Sequence, residues 1–304
     1  MTHTDIYEKS ISCRDYEPVP GDFLIKKTGM DIISKFVDLN GSAMGLEIGC
    51  GSGYNAALLS CATRRLIATD LPDSSVESHS LGISVAKDLL GTLGAKNVRL
   101  VSCSGETLPF GDDTFDFIFS SSVLEHIDDK KAALKEMLRV VKPNGRVIFV
   151  IPTFVQSMCA FVHLYLYIAR RIGEVMSVKL FKQSVKKKTL LPMRDDASRA
   201  SAKIVDSFRV SHPSFPLPEP HGSYKNIFEE FSSQLPWRWT SLARECGARS
   251  TDSFAFLFLP FNVLEVFSTR IIADLYSGTK SLHQLLGKSF LKYFSYSYCV
   301  VARK

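Results

Sequence analysis

Paired cysteines are missing from this chain. Its seven, Cys13, Cys50, Cys61, Cys103, Cys159, Cys246 and Cys299, are odd in number and include no C-x-x-C pair. A zinc ribbon or a disulfide framework needs tight, paired spacings, so the expectation is free thiols in a reducing, cytoplasmic setting. The segment Met1–Asp5 carries neither a basic nor an apolar leader region, and no signal peptide is predicted. There is no internal repeat. With 18 glycines and 13 prolines in 304 residues, collagen-like and low-complexity chains are excluded. One long uncharged run exists, Val147–Ala169, but its first part reads as a strand. The remainder, Phe154–Ala169, is shorter than the roughly 20 residues a membrane span needs. The net charge of +6 is too small to argue nucleic-acid binding by itself. What is present, 45% hydrophobic and 22% charged residues, suffices for one large core or two small ones.

Short apolar runs recur at Met44–Ile48, Leu66–Thr69, Val98–Val101, Phe115–Ser120 and Val147–Ile151. Helical patterns separate them at Tyr54–Thr63, Ser84–Leu93 and Asp129–Val141. That alternation predicts parallel strands with helical crossovers, an α/β doubly wound sheet. Phe254–Leu259 and Ser297–Val301 read as two more strands, and Ile227–Leu235 and Trp237–Cys246 as helices. The division expected is a helical cap over 1–43, a core over 44–153, a basic and helical insertion over 154–225 and a C-terminal completion of the sheet over 226–304. Tyr7 and Tyr16 suit either a flap over the core or ordinary surface.

The chemistry concentrates after the first strand. Leu46-Glu47-Ile48-Gly49-Cys50-Gly51-Ser52-Gly53 runs from strand to helix, where glycine lets the backbone bend sharply and approach a ligand. The spacing is G-x-G-x-G, and Tyr54 stands where a dinucleotide signature has its third glycine. Asp70 ends the second strand, a place from which a carboxylate can accept hydrogen bonds from both hydroxyls of a ribose. Further along stand Ser104-Gly105-Glu106-Thr107-Leu108-Pro109-Phe110, then Phe115–Ser120 with Val123-Leu124-Glu125-His126-Ile127, then Val141-Lys142-Pro143-Asn144-Gly145.

In these five ordered motifs the segment from Leu46 to Thr153 resembles the class I S-adenosylmethionine-dependent methyltransferases, in particular the small-molecule type with L-P-F and L-E-H-I motifs. The resemblance implies a mostly parallel seven-stranded, Rossmann-like sheet with a helical insertion after the fifth strand, and S-adenosyl-L-methionine as cofactor. It implies that Glu47, Gly49, Gly51 and Gly53 line the methionine end and Asp70 holds the ribose. Gly105 and Glu106 would meet the adenine edge, Leu71 and Leu108 would wall it, and Ser120 and Ser121 would lie near the sulfonium. Ser104 departs from the family, where many members have an aspartate bonding the adenine amino group; a serine contact there is neutral and weaker.

The acceptor is less legible. The fourth strand leads into Ser120-Ser121-Ser122 rather than D/N-P-P-Y/F, and no Pro-Cys pair occurs, which counts against DNA amine and cytosine C5 methylation. No Asp/Asn cluster has the spacing of a magnesium–catechol site, so no metal is expected. His126 suits a general base and equally a residue that shapes its loop. His221, before Gly222 and Ser223, has the same two readings. Trp237 and Trp239 read as packing residues. Arg170–Arg209 holds eleven Lys and Arg against four acids, so the positive charge is local. Beside the apolar, aromatic Phe154–Ala169 run, the basic Arg170–Lys188 stretch fits an anionic membrane surface as well as a solvated loop; nucleic acid is disfavoured. The expectation is methyl transfer to a small-molecule or lipid-linked acceptor (a glycan intermediate, quinone or secondary metabolite), by a cytoplasmic protein that could sit peripherally at the inner face of the membrane. The alternatives are an RNA or protein methyltransferase gripping its polymer with the Lys-rich insertion, and a catalytically silent cofactor-binding subunit.

Overall fold

A computed structural model describes residues 41–72, 82–158, 224–257, 294–295 and 297–304. The first strand, β1 (Met44–Ile48), leads through the glycine turn into α1 (Tyr54–Ser60). β2 (Arg65–Asp70), α2 (Gly82–Leu93) and β3 (Val98–Ser102) follow. β4 (Phe115–Ser121) precedes a short 3-10 turn at Leu124–His126, then α3 (Lys130–Val140) and β5 (Val141–Pro152). After the insertion come α4 (Ile227–Ser233), α5 (Pro236–Glu245), β6 (Ser250–Leu257) and β7 (Ser297–Arg303).

The strands form one seven-stranded sheet in the order β3-β2-β1-β4-β5-β7-β6. The first five pair in parallel, while β7 runs antiparallel to both β5 and β6. The doubly wound, mostly parallel sheet expected from the sequence is therefore present. Its central strands are apolar along nearly their whole length because helices cover both faces. One face packs Ala56, Leu58, Ala86 and Leu90 of α1 and α2 against Phe117, Phe119 and Ile148. The other packs Leu134, Met137 and Trp239 of α3 and α5 against Leu46, Ile118 and Phe149.

Two strands begin earlier than the sequence suggested. β5 starts at Val141, and its pairing with β4 jumps from Phe115↔Val141 to Phe117↔Arg146. Lys142-Pro143-Asn144-Gly145 is thus a bulge inside the strand, with Asn144 at φ 69°. β6 starts at Ser250 rather than Phe254. It is an edge strand, where polar residues cost nothing and discourage pairing with another chain.

The chain order reverses between β1 and β4: β2 and β3 extend to one side, β4 and β5 to the other. In open α/β sheets a crevice opens at such a point, beyond the carboxyl ends of the strands. The glycine turn, Asp70 and Ser120 all stand at those ends.

Candidate active site: the crevice between β1 and β4

The glycine turn is held from β2. Gly49 and Cys50 both donate N–H to the Thr69 carbonyl at 2.9 Å. The Gly51 N–H donates to Asp70 Oδ2 at 2.6 Å, and the Leu71 N–H to Asp70 Oδ1 at 2.8 Å. One carboxylate therefore fixes both the turn and its own strand end. An ionised carboxylate has about four acceptor positions, so two remain for a ligand.

Two glycines of the turn have different duties. Gly49 has φ +71°, and a Cβ there would lie 2.2 Å from Val123 Cγ2. The segment after β4 thus crosses directly over the turn. Gly51 has φ +50°, and a Cβ there would meet nothing within 4 Å. Gly51 faces open space, the cradle in which a ligand can touch bare backbone. Gly53 is the N-cap of α1.

Ser120 completes this side. It is buried at 1% exposure, opposite Ile48 on β1, and its hydroxyl has no hydrogen-bond partner. An unsatisfied buried hydroxyl costs about 1–3 kcal/mol and marks a place where a polar ligand atom is accommodated. Glu47 is buried two residues before Gly49. Together with burial, which dominates, Glu47 and Asp70 push the Cys50 thiol far above its ordinary range, so Cys50 stays protonated and is no nucleophile.

The wall after β3 is built through its own turn. The Ser104 hydroxyl accepts the Glu106 N–H at 3.2 Å, and the Cys103 N–H donates to the Asp70 carbonyl at 3.0 Å. Ser104 therefore shapes the turn that carries Gly105, a role its lone position in the sequence did not reveal. A Cβ on Gly105 would lie 3.0 Å from Ile127 Cδ1 and 3.2 Å from Ile48 Cγ2. The Glu106 carboxylate accepts the Asp129 N–H at 2.8 Å, tying the turn to the start of α3. Leu108 is buried and Leu71 is 38% exposed, an apolar surface beside the Asp70 carboxylate. Leu108 is fixed by its N–H to Glu136 Oε2 at 2.9 Å and by Arg139, which donates to the Leu108 and Phe110 carbonyls.

On the other side of the crevice the L-E-H-I turn is arranged differently from its sequence reading. His126 lies at the exposed end of the 3-10 turn, and Glu125 is the buried side chain, at 4% exposure. Lys130 donates to the Ile127 carbonyl at 2.8 Å and stands 4.9 Å over the Tyr224 ring. Burial lowers the Lys130 pKa against the pull of Asp128, Glu125 and Glu229. Burial raises that of the Tyr224 phenol, helped by the carboxylates of Glu125, Glu230 and Glu229 and opposed by a hydrogen bond with Ser233. At neutral pH Tyr224 is thus a protonated phenol and not a base. Beyond it, Glu230, fully buried, accepts from Ser157 at 3.3 Å and from the Gln234 amide at 2.8 Å. Sequence reading missed Glu125, Tyr224 and Glu230, because single acids and a lone tyrosine have no spacing that marks them. His221 and the Arg170–Lys188 stretch lie outside the described residues, as do Tyr7 and Tyr16. Trp239 is packed against Phe149 with ring centroids 6.0 Å apart, while Trp237 is 49% exposed.

S-adenosyl-L-methionine fits these residues: a glycine faces open space, an adjacent carboxylate keeps acceptor capacity, an apolar side chain flanks it, and an unsatisfied hydroxyl closes the far side. Comparison with known proteins agrees. Residues 46–149 match the family model described as a methyltransferase domain. The rat mitochondrial arginine-hydroxylase NDUFAF5 is 31% identical over 140 residues, covering 45% of this chain and 37% of that protein. The ubiquinone/menaquinone biosynthesis C-methyltransferase UbiE of Cronobacter sakazakii is 31% identical over 146 residues, 44% of this chain and 55% of that protein. Among solved structures, Haemonchus contortus phosphoethanolamine N-methyltransferase 2 in complex with S-adenosyl-L-methionine superposes with a TM-score of 0.50 at 16% identity, over 100% of this chain and 57% of that one. The chain thus spans about two fifths to just over half the length of those two curated relatives. Fold and match together define the class: residues 46–149 form a methyltransferase domain.

Proposed function

We propose that this chain is an S-adenosylmethionine-dependent methyltransferase whose acceptor is a small or lipid-linked molecule. The observation that carries the reading is the cradle at Gly51, open above the bare backbone and braced by Asp70. S-adenosyl-L-methionine, when bound, supplies a methyl group already activated as an electrophile. The protein has then to position an acceptor atom and exclude water. Glu47 and the glycine turn would hold the methionine end, Asp70 the ribose, and Leu71 and Leu108 the adenine. The Ser120 hydroxyl and the buried Glu125 stand at the end of β4 to orient an acceptor. Among the described residues no group pairs as a nucleophile with a base, which agrees with a reaction run by alignment.

UbiE, whose name concerns quinones, is a relative of the same domain. A second reading follows from NDUFAF5: a relative named as an arginine hydroxylase carries this same domain, so the cofactor site alone does not dictate methyl transfer. Titration calorimetry with S-adenosyl-L-methionine should show saturable binding that Asp70→Ala abolishes. Incubation with methyl-labelled cofactor and fractionated cell extract should then place label in the small-molecule or lipid fraction. Label in RNA or protein would overturn the acceptor, and binding without transfer to any fraction would overturn the enzyme reading.

A further inference from the structure

At the end of the sheet opposite the crevice, a groove of about 560 Å³ opens under the first residues of three strands. It is lined by Met44 and Val98, which begin β1 and β3, by Asn97, and by the four cations Arg64, Arg65, Lys96 and Arg99. β3 passes to β4 without a helix, and no residue of β3 is buried. This outermost strand of the sheet is therefore left open.

Two of the four cations share a face by register. Arg99 pairs with Ile67 on β2, and Arg65 stands two residues before Ile67, so Arg65 and Arg99 project from the same face. Lys96 sits in the turn into β3, which Asn97 anchors by donating to the Ser60 and Thr63 carbonyls at 2.8 and 2.9 Å. None of the four makes an ion pair among the described residues. The nearest acid, Asp116, is already committed: one oxygen accepts the Met44 N–H at 2.8 Å and the other Lys142 at 2.7 Å. A concave site with three guanidinium groups and an ammonium, of which only Arg64 feels the charge of Asp116, and with no ion pair to any of the four among the described residues, suits an anion with several oxygens. Arginine's planar fork matches phosphate in two-point contact.

We infer that the groove rimmed by Arg64, Arg65, Lys96 and Arg99 is a second binding site, for a phosphate-bearing ligand of the phosphomonoester or diphosphate kind. It is separate from the crevice: Arg65 and Asp70 are the two ends of β2, about 17 Å apart at roughly 3.3 Å per residue. The ligand is thus neither the methyl donor nor an acceptor in line with it, and the inference stands whether or not the chain transfers methyl groups.

The test titrates the full chain with inorganic pyrophosphate, following binding by calorimetry, and in parallel sediments it with phosphatidylcholine vesicles with and without phosphatidic acid. Wild type should bind saturably, and binding should weaken as salt is raised. Arg65→Ala/Arg99→Ala should weaken it by about tenfold or more, while Lys87→Ala, removing an exposed cation on α2, should leave it unchanged. Melting temperature and S-adenosyl-L-methionine affinity of the double variant should match wild type, which separates loss of the site from loss of the fold. Retention on phosphatidic acid vesicles that the double variant loses identifies the phosphate as a lipid headgroup; pyrophosphate binding without vesicle retention identifies a soluble ligand. Absence of saturable binding to either probe, or equal weakening by Lys87→Ala, overturns the site.

Discussion

Gly49 and Gly51 share a turn and a positive φ, yet their substitution should fail in different ways. Alanine at 49 meets Val123 at 2.2 Å as well as the left-handed backbone penalty. Its cost should be about 2–4 kcal/mol, read as a lowered urea midpoint, and Val123→Ala should restore only the steric part. Alanine at 51 meets no atom and should cost about 1–2 kcal/mol from φ alone. Its methyl enters the cradle, however, so cofactor affinity should fall much further than stability does. Equal losses of affinity and stability in the two variants would refute this division of labour. Glu125 and His126 are neighbours with a comparable contrast: Glu125→Gln should disturb acceptor turnover, while His126→Gln, at an exposed position, should leave kcat within about twofold. Reversal of that order in steady-state kinetics would assign the base to His126.

Among the elements, α3 acts as a brace for the cofactor wall. Its Glu136 accepts from Arg139 and from the Leu108 N–H, and Arg139 reaches on to Asp112. The Arg139 guanidinium, then the Leu108 N–H, hold the Glu136 carboxyl below its usual range despite partial burial. A carboxylate whose folded pKa is depressed contributes stability above its unfolded value, and loses it as pH falls through the lower folded value. Glu136→Gln should therefore destabilise at neutral pH, with the gap to wild type narrowing below about pH 4.5; parallel acid limbs in urea titrations would show that the pair contributes nothing. Much of this level was legible beforehand. Consecutive apolar runs marked β1, β2 and β4 because both their faces are covered, and the glycine turn and Asp70 were legible because strand, turn and strand-end acid keep a fixed order. The start of β5 was hidden because Lys142–Gly145 reads as a turn, whereas it is a bulge within one continuous strand. The start of β6 was hidden because an edge strand needs no apolar pattern. The Ser104 bond to the local backbone was hidden because a single serine has no pattern that announces a turn. Glu230 was invisible because one of its hydrogen-bond partners, Ser157, lies 73 residues away in the chain.

For the molecule as a whole, cofactor binding and folding are linked, because the crevice is assembled from β1, β2, β3 and β4 together and has no counterpart in the unfolded chain. S-adenosyl-L-methionine at 100 times its Kd should add about 2.7 kcal/mol to the stability, visible as a higher urea midpoint at unchanged slope. Asp70→Ala should lose this gain and keep its own midpoint regardless of cofactor. None of the helices among the described residues is long and apolar enough to cross a membrane. Finally, β7 slots between β5 and β6, with Pro152 pairing to Ser297. During synthesis at roughly 5–20 residues per second, roughly 7–30 seconds pass after Pro152 emerges before Ser297 does. Throughout that interval the nascent chain carries an apolar strand with one unzipped edge, and it is in that window, on the ribosome, that this protein is most exposed to chaperones and to mispairing.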